Sequence, residues 1–196
     1  MPPRQPHTGF TLIELLIVIA IVGILVGLVF PSSEPNLHEQ LRAAAAIVKA
    51  DMDYARSLAV TNNSKYKITF DIENNKYTLE HSGSNASLDT LPDSPFSQPE
   101  DPDDQHIVDL DELPHMGPTV RIVVVAEFGS TYGKVDDVEF GPLGETTRAG
   151  YTLIWLAAGS GEGTVYVWLL TNSTTGITEI GNFTSTGPPA WLISQD

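Results

Sequence analysis

The apolar and polar positions of this chain change period three times. From Phe10 to Phe30, 21 consecutive residues include only two side chains, Thr11 and Glu14, that are neither apolar nor glycine. At about 1.5 Å per residue such a run makes a helix of roughly 31 Å, close to the thickness of a bilayer's hydrocarbon layer. Pro31 closes the run and Pro35 follows after Ser32-Ser33-Glu34. Proline lacks an amide donor and clashes with the preceding turn, so a kink or break is expected there. Beyond it Leu37, Leu41, Ala44, Val48, Met52, Ala55 and Ala59 recur at spacings of three and four, while Glu39, Arg42, Lys49, Asp53 and Arg56 take the other faces. That is one stripe of an amphipathic helix over residues 31–62, ending near Asn62-Asn63. The run Ala43-Ala44-Ala45-Ala46 is small enough to admit a close partner, and serves equally well as high-propensity filler.

From Lys65 the period falls to two. Tyr66, Ile68, Phe70 and Ile72 alternate with Lys67, Thr69 and Asp71, and Asn74-Asn75 separates them from Lys76-Tyr77-Thr78-Leu79-Glu80, the pattern of a β-hairpin. Residues 82–118 differ: six prolines alternate with nine acids, from Asp89 to Glu112, which predicts a mobile insertion outside the core. Runs at 120–125, 135–140, 151–157, 164–171 and 177–180 follow, punctuated by Gly, Ser, Thr and Asn. Short strands so spaced predict antiparallel sheets packed face to face, with the runs holding Trp155 and Trp168 central and the tail docked through Trp191 or frayed. The expected fold class is α+β: a long N-terminal helix, membrane-spanning in its first half and amphipathic in its second, then a β-rich antiparallel head over 63–196.

Glu14 does not suit a plain anchor. A carboxylate at the centre of a bilayer costs about 2.5–3.5 kcal/mol on insertion scales, so it needs a partner. Cleavage between Gly9 and Phe10 would create an α-amino cation one helical turn from Glu14. Within one chain that pairing is strained, but a neighbouring helix shifted along its axis could bring its own amine to this carboxylate, where an unpaired charge is costly. An ordinary secretory signal fits less well, because the apolar core is too long and no A-x-A site follows. A single-pass anchor with a snorkelling Glu14 leaves the Gly9-Phe10 junction unexplained.

A short leader, Gly9 before the cut, Phe10 after it, then Thr11-Leu12-Ile13-Glu14-Leu15-Leu16 and a long apolar helix resemble the type IV pilin and pseudopilin family. The resemblance implies a leader over 1–9 removed by prepilin peptidase, N-methylation of Phe10, a transmembrane helix over 10–30 bent at Pro31, and Glu14 as the assembly residue. The 41–59 helix, the Phe70-Asp71 hairpin and Phe140-Gly141-Pro142-Leu143-Gly144 before two apolar strands further resemble the H-type minor pseudopilins of type II secretion. They also resemble minor pilins of type IV pili and DNA-uptake machines. The implied partners are other pilin or pseudopilin subunits, prepilin peptidase and the inner membrane, with the head outside the cytoplasm. The acidic stretch is a departure from the family pattern.

Charge narrows the partners. The formal net charge of −15 comes from 25 acids against 10 bases, and beyond residue 60 the cations are Lys65, Lys67, Lys76, Arg121, Lys134 and Arg148. Such a balance disfavours nucleic acid and anionic membrane surfaces. Arg4, the only charge in the leader, argues for a cytoplasmic N-terminus. There is no cysteine, so disulfides contribute nothing.

Candidate chemistry is sparse. Gly159-Ser160-Gly161-Glu162-Gly163 could suggest a phosphate loop, but that use needs a following helix, and Thr164–Trp168 reads as a strand after a hairpin turn. The histidines, His7, His38, His81, His106 and His115, have no metal-ligand spacing, and a surface role is expected. Glu100-Asp101-Pro102-Asp103-Asp104 offers hard oxygens for calcium but lacks the ligand spacing of a calcium loop, so a solvated acidic loop is the preferred reading. No serine lies in a G-x-S-x-G setting and no nucleophile can be paired with a base, so neither enzyme activity nor a cofactor is expected.

Overall fold

The computed structural model describes residues 11–29, 36–92, 101–113, 119–129 and 132–193. The chain divides into two units, one holding the first helix and the other everything from the second helix onward. Helix α1 is Leu12–Val29, 18 residues. The transition expected at Pro31 lies outside the described residues.

Helix α2 is Leu37–Thr61. Asn36 caps its start, its side chain accepting from the His38 amide at 3.2 Å. Its end is a Schellman turn: Asn63 adopts φ 47°, the Ser64 amide donates to Ala59 O at 3.0 Å and the Asn63 amide to Val60 O at 3.3 Å. The apolar stripe is buried from Leu41 to Ala59, with Asp51 buried among it.

Two antiparallel sheets close on this helix. The first has the order β3-β2-β1-β6, from β1 (Tyr66–Asp71), β2 (Lys76–His81), β3 (Gln105–Asp109) and β6 (Asp137–Phe140). The second is β5-β4-β7-β8-β9, from β4 (Val120–Phe128), β5 (Tyr132–Lys134), β7 (Tyr151–Ala158), β8 (Val165–Thr171) and β9 (Thr178–Ile180). The runs holding Trp155 and Trp168 are β7, at the centre of the larger sheet, and its neighbour β8. Where face-to-face sheets were expected, α2 is the packing partner of both: Tyr66, Ile68, Tyr77, Leu79 and Phe140 of one, and Ile122, Ile154, Leu156 and Leu169 of the other, join its stripe in one buried cluster. No described residue before Leu37 contributes to that cluster, so the second unit has a core of its own.

The acidic segment 82–118 is not wholly outside the core. Within it Gln105-His106-Ile107-Val108-Asp109 pairs with β2 as β3 and buries alternate residues, His106 and Val108, while Leu110 and Leu113 are buried just after it. The segment carries no period-two apolar signal, because a histidine takes one inward position and an isoleucine faces the other way, among acids and prolines.

Asn75 joins the sheets. It ends the β1–β2 turn at φ 53°, and its side chain acts as a short strand: Nδ2 donates to Val120 O at 2.8 Å and to Asp111 Oδ1 at 2.7 Å, while Oδ1 accepts from the Ile122 amide at 2.9 Å. A β-bulge between Ile122 and Val124 then shifts the register of β4, so that Val125 faces α2 and Val124 faces outward.

The outward face is covered by the tail. Gly181 lies so close to the Trp168 ring that any side chain there would overlap it, and Thr184 exchanges two backbone hydrogen bonds with Tyr166 at 2.7 and 2.9 Å. The short helix α3 (Ala190–Ile193) buries Leu192 against Val124 and Ala126. Leu192 is thus the anchor where Trp191 had been the candidate; Trp191 is half exposed and packs on Phe128 and Tyr132, with ring centroids 6.4 and 6.5 Å apart.

Candidate functional site

The N-terminal motif is described from Thr11 onward; Gly9, Phe10 and Pro31 lie outside the described residues. Every described side chain from Thr11 to Gly23 is exposed, including a near-continuous aliphatic surface from Leu12 to Val22. Such a surface has no partner in its own unit, and contiguous apolar exposure marks contact with lipid or protein. Among the described residues no helix is long and apolar enough to cross a membrane.

Glu14 has a local role that its charge pattern had overshadowed. Its amide donates to Thr11 Oγ1 at 3.3 Å and to Thr11 O at 3.1 Å, and Thr11 Oγ1 donates to Glu14 Oε2 at 3.5 Å. Thr11-Leu12-Ile13-Glu14 has the T-x-x-E spacing of a capping box, readable in the sequence, and places a carboxylate at the helix end that favours negative charge. One Glu14 oxygen meets Thr11 weakly, and the side chain remains in the open, so the cap does not consume the carboxylate's capacity for a cation.

In the head, two histidines expected at the surface are interior. His106 is buried with its Nε2 lacking a partner, beside a hydrogen bond from the Tyr77 hydroxyl to the Asp51 carboxylate. Burial raises the Asp51 pKa against the opposing pull of Tyr77 and His106; burial also lowers His106, opposed by Asp51 and Asp101. Burial raises Tyr77 well above its ordinary value, with Asp51 adding to the effect. The arrangement keeps three polar groups uncharged or paired beneath α2.

The second histidine corrects the expectation that no serine could be paired with a base. Ser64 Oγ lies 2.7 Å from His81 Nε2, and His81 Nδ1 lies 2.6 Å from Asp89 Oδ1. The connectivity is that of a nucleophile, its base and an orienting carboxylate. The packing is that of a clasp: the His81 side chain is fully buried, Asp89 is half in solvent, and Gly83 lies over Ser64 Oγ and His81 Nε2 so closely that a Cβ would overlap both. That leaves no place for a reacting carbon beside Oγ. The relay fastens the loop after β2 to the α2–β1 corner, and its members, far apart in sequence, gave no motif.

The glycine-rich stretch is a single tight turn at Gly161–Gly163 leading into β8. Among the described residues no three His, Asp or Glu side chains converge as a metal site, and Glu100 lies outside them. A cleft of about 430 Å³ opens where the sheets meet, floored by Ile72, Val120 and Ile122 and rimmed by Glu73, Asp111 and Arg121.

Residues 4–30 match the family model of the prokaryotic N-terminal methylation motif. No curated protein matches the chain. Among solved structures it is similar to the type IV minor pilin FimU of Pseudomonas aeruginosa strain PAO1 in two crystal forms. One shares 17% identity over 77% of this chain and 94% of that one, with a TM-score of 0.45; the other shares 19% over 76% and 97%, with a TM-score of 0.43. The N-terminal segment of the chain thus carries a prepilin-type methylation motif.

Proposed function

We propose that this chain is a structural subunit of a membrane-assembled helical filament, a minor pseudopilin-like component of a type II secretion pseudopilus. Prepilin peptidase cuts after Gly9 and Phe10 is N-methylated. The observation that supports this reading most directly is the methylation-motif match over 4–30, which contains Gly9, Phe10 and Glu14 together. The apolar helix holds the subunit in the inner membrane with its head outside the cytoplasm. Entry into the filament exchanges lipid contacts for helix contacts, and Glu14 sets the register by pairing with the N-terminal amine of a neighbour. The mass and first residue of the mature chain from its native host test the reading: N-methyl-Phe10 is expected, and a mature chain retaining Met1 overturns it.

The pseudopilus assignment draws on the Phe140-Gly141-Pro142-Leu143-Gly144 loop and the two apolar strands β7 and β8 that follow it. Deletion of the chain is expected to reduce export of folded proteins into the medium. Loss of surface pili or of DNA uptake, with export intact, would assign it instead to a type IV pilus or an uptake machine.

A further inference from the structure

On the first two turns of α2, His38 and Arg42 stand one turn apart, and both are exposed. The Phe183 ring lies against both: the Arg42 guanidinium carbon is 5.4 Å from its centroid, and the His38 ring is 5.9 Å away at 56°. Phe183 packs half-buried on the core and is pinned by its neighbour Thr184, which exchanges two backbone hydrogen bonds with Tyr166. Elsewhere on the head Lys49, Lys65, Lys67 and Arg148 are engaged in ion pairs, and Arg56 and Arg121 donate to backbone carbonyls. Among the described residues the Arg42 guanidinium donates no hydrogen bond and joins no ion pair. The ring positions this cation and leaves its N–H donors to solvent.

The surroundings decide what those donors can take. Residues 181–193, the segment that carries Phe183, have no charged side chain. The nearest acid along α2 is Glu39, also exposed, about 60° round the helix from Arg42 on the side away from His38. Seven residues, 30–36, separate α1 from α2, a length of chain that extends no more than about 29 Å. With residues 10–30 read as a membrane helix, so short a connection keeps the first turns of α2 within reach of lipid headgroups.

We infer that this face of α2 docks on a zwitterionic phospholipid headgroup while the subunit is held in the membrane. Arg42 takes the phosphate, with a ring N–H of His38 as a second donor, and Glu39 takes the ammonium. A guanidinium suits the task because it offers several N–H groups in one plane and is weakly hydrated, and the Phe183 ring holds it in place before the lipid arrives. Charge favours this occupant over others. A chain of net charge −15 is repelled by a net-anionic surface, whereas a headgroup carrying both signs adds no repulsion and matches the neighbouring cation and acid. A carboxylate on another subunit would satisfy Arg42 but meet repulsion from Glu39. The inference rests on the membrane-anchored reading, and adds to it a contact surrendered when the subunit leaves lipid for the filament.

The chain has no cysteine, so a single introduced thiol reports on this face. Ala46 is exposed one turn beyond Arg42, between Arg42 and Glu39 around the helix. Full-length chains bearing Ala46→Cys are reconstituted at high dilution in vesicles of phosphatidylethanolamine and phosphatidylcholine. Their rate of alkylation by a water-soluble maleimide is compared with the rate in maltoside micelles, which hold no phosphate. Vesicles are expected to slow the reaction about fivefold, and Arg42→Gln to abolish the slowing. A control bearing Ser57→Cys, exposed roughly 16 Å farther along α2, is expected to show none. Equal slowing in the Arg42→Gln chain overturns the inference, as does equal slowing in vesicles of phosphatidylglycerol alone, which offer phosphate without ammonium. Slowing that grows with the ratio of chain to lipid also overturns it, since a second copy would then cover the face. A chain that floats with the vesicles yet is alkylated as fast as in micelles removes this contact alone. A chain that fails to float removes the anchored reading and this contact with it.

Discussion

Replacing Asn75 with alanine would cut the joint between the two sheets. Three side-chain hydrogen bonds are lost, and two of their partners, Val120 O and the Ile122 amide, are buried backbone groups left with no replacement on that side. Each unsatisfied group costs about 1–3 kcal/mol, and placing alanine at φ 53° adds about 1 kcal/mol. Allowing for water entering from the neighbouring cleft, the total is about 3–5 kcal/mol, or a fall in melting temperature of roughly 6–20 °C for a domain of this size. Glycine at the same position removes the backbone strain but not the orphaned groups, so it should recover only about 1 kcal/mol. Aspartate retains an acceptor for the Ile122 amide but turns oxygens toward Val120 O and Asp111, and should be no better than alanine. Urea unfolding of residues 36–196, followed by circular dichroism at 25 °C, measures all three. A cost below about 1 kcal/mol for alanine, or a glycine variant as stable as the natural chain, would refute the view that this side chain acts as a strand.

Thr152 is fully buried in β7 with its hydroxyl unpartnered, so Thr152→Val should raise stability by about 1 kcal/mol; a loss on thermal melting would mean that the hydroxyl is satisfied. Burial holds His106 below its ordinary 6.5, so the stability it supports is complete above that pH and is lost as pH falls from 6.5 toward the lower folded value; His106→Leu should flatten unfolding free energy across that window. Burial raises Asp51 above 3.8, so its charge opposes folding increasingly as pH rises from 3.8; Asp51→Asn, which still accepts from Tyr77, should be more stable than the natural chain at pH 7, with the margin shrinking toward pH 3.8. For Glu14, both Glu14→Ala and Glu14→Gln should be cleaved normally yet enter filaments at least about tenfold less well, since glutamine preserves the cap but not the charge; normal assembly of the glutamine variant would reduce Glu14 to a capping residue.

The parts of the fold legible in the sequence are those whose periodicity persists over many residues. The α2 stripe runs for more than twenty residues, and Tyr66, Ile68 and Phe70 meet Tyr77 and Leu79 in the hairpin that their alternation predicts. Strand β3 was concealed because His106 takes an inward position and Ile107 the opposite one, so its five residues do not alternate apolar and polar, in a strongly acidic neighbourhood. The Ser64, His81 and Asp89 relay and the Asp51, Tyr77 and His106 group were invisible for another reason: each depends on strand pairing and helix packing to assemble residues that share no spacing. Thr11 and Glu14 were legible as a cap, but the energetic problem of a carboxylate in an apolar run drew attention to charge instead.

The way the tail crosses the larger sheet has a consequence for biogenesis. Trp155, Trp168 and Tyr166 gain their cover only when residues 181–192 are in place. Because those residues are synthesised after the strands they cover, β7 and β8 must wait with one flank greasy and bare until that segment has followed. Deleting residues 181–192 would therefore yield a sticky, chaperone-dependent protein in place of a merely shortened one.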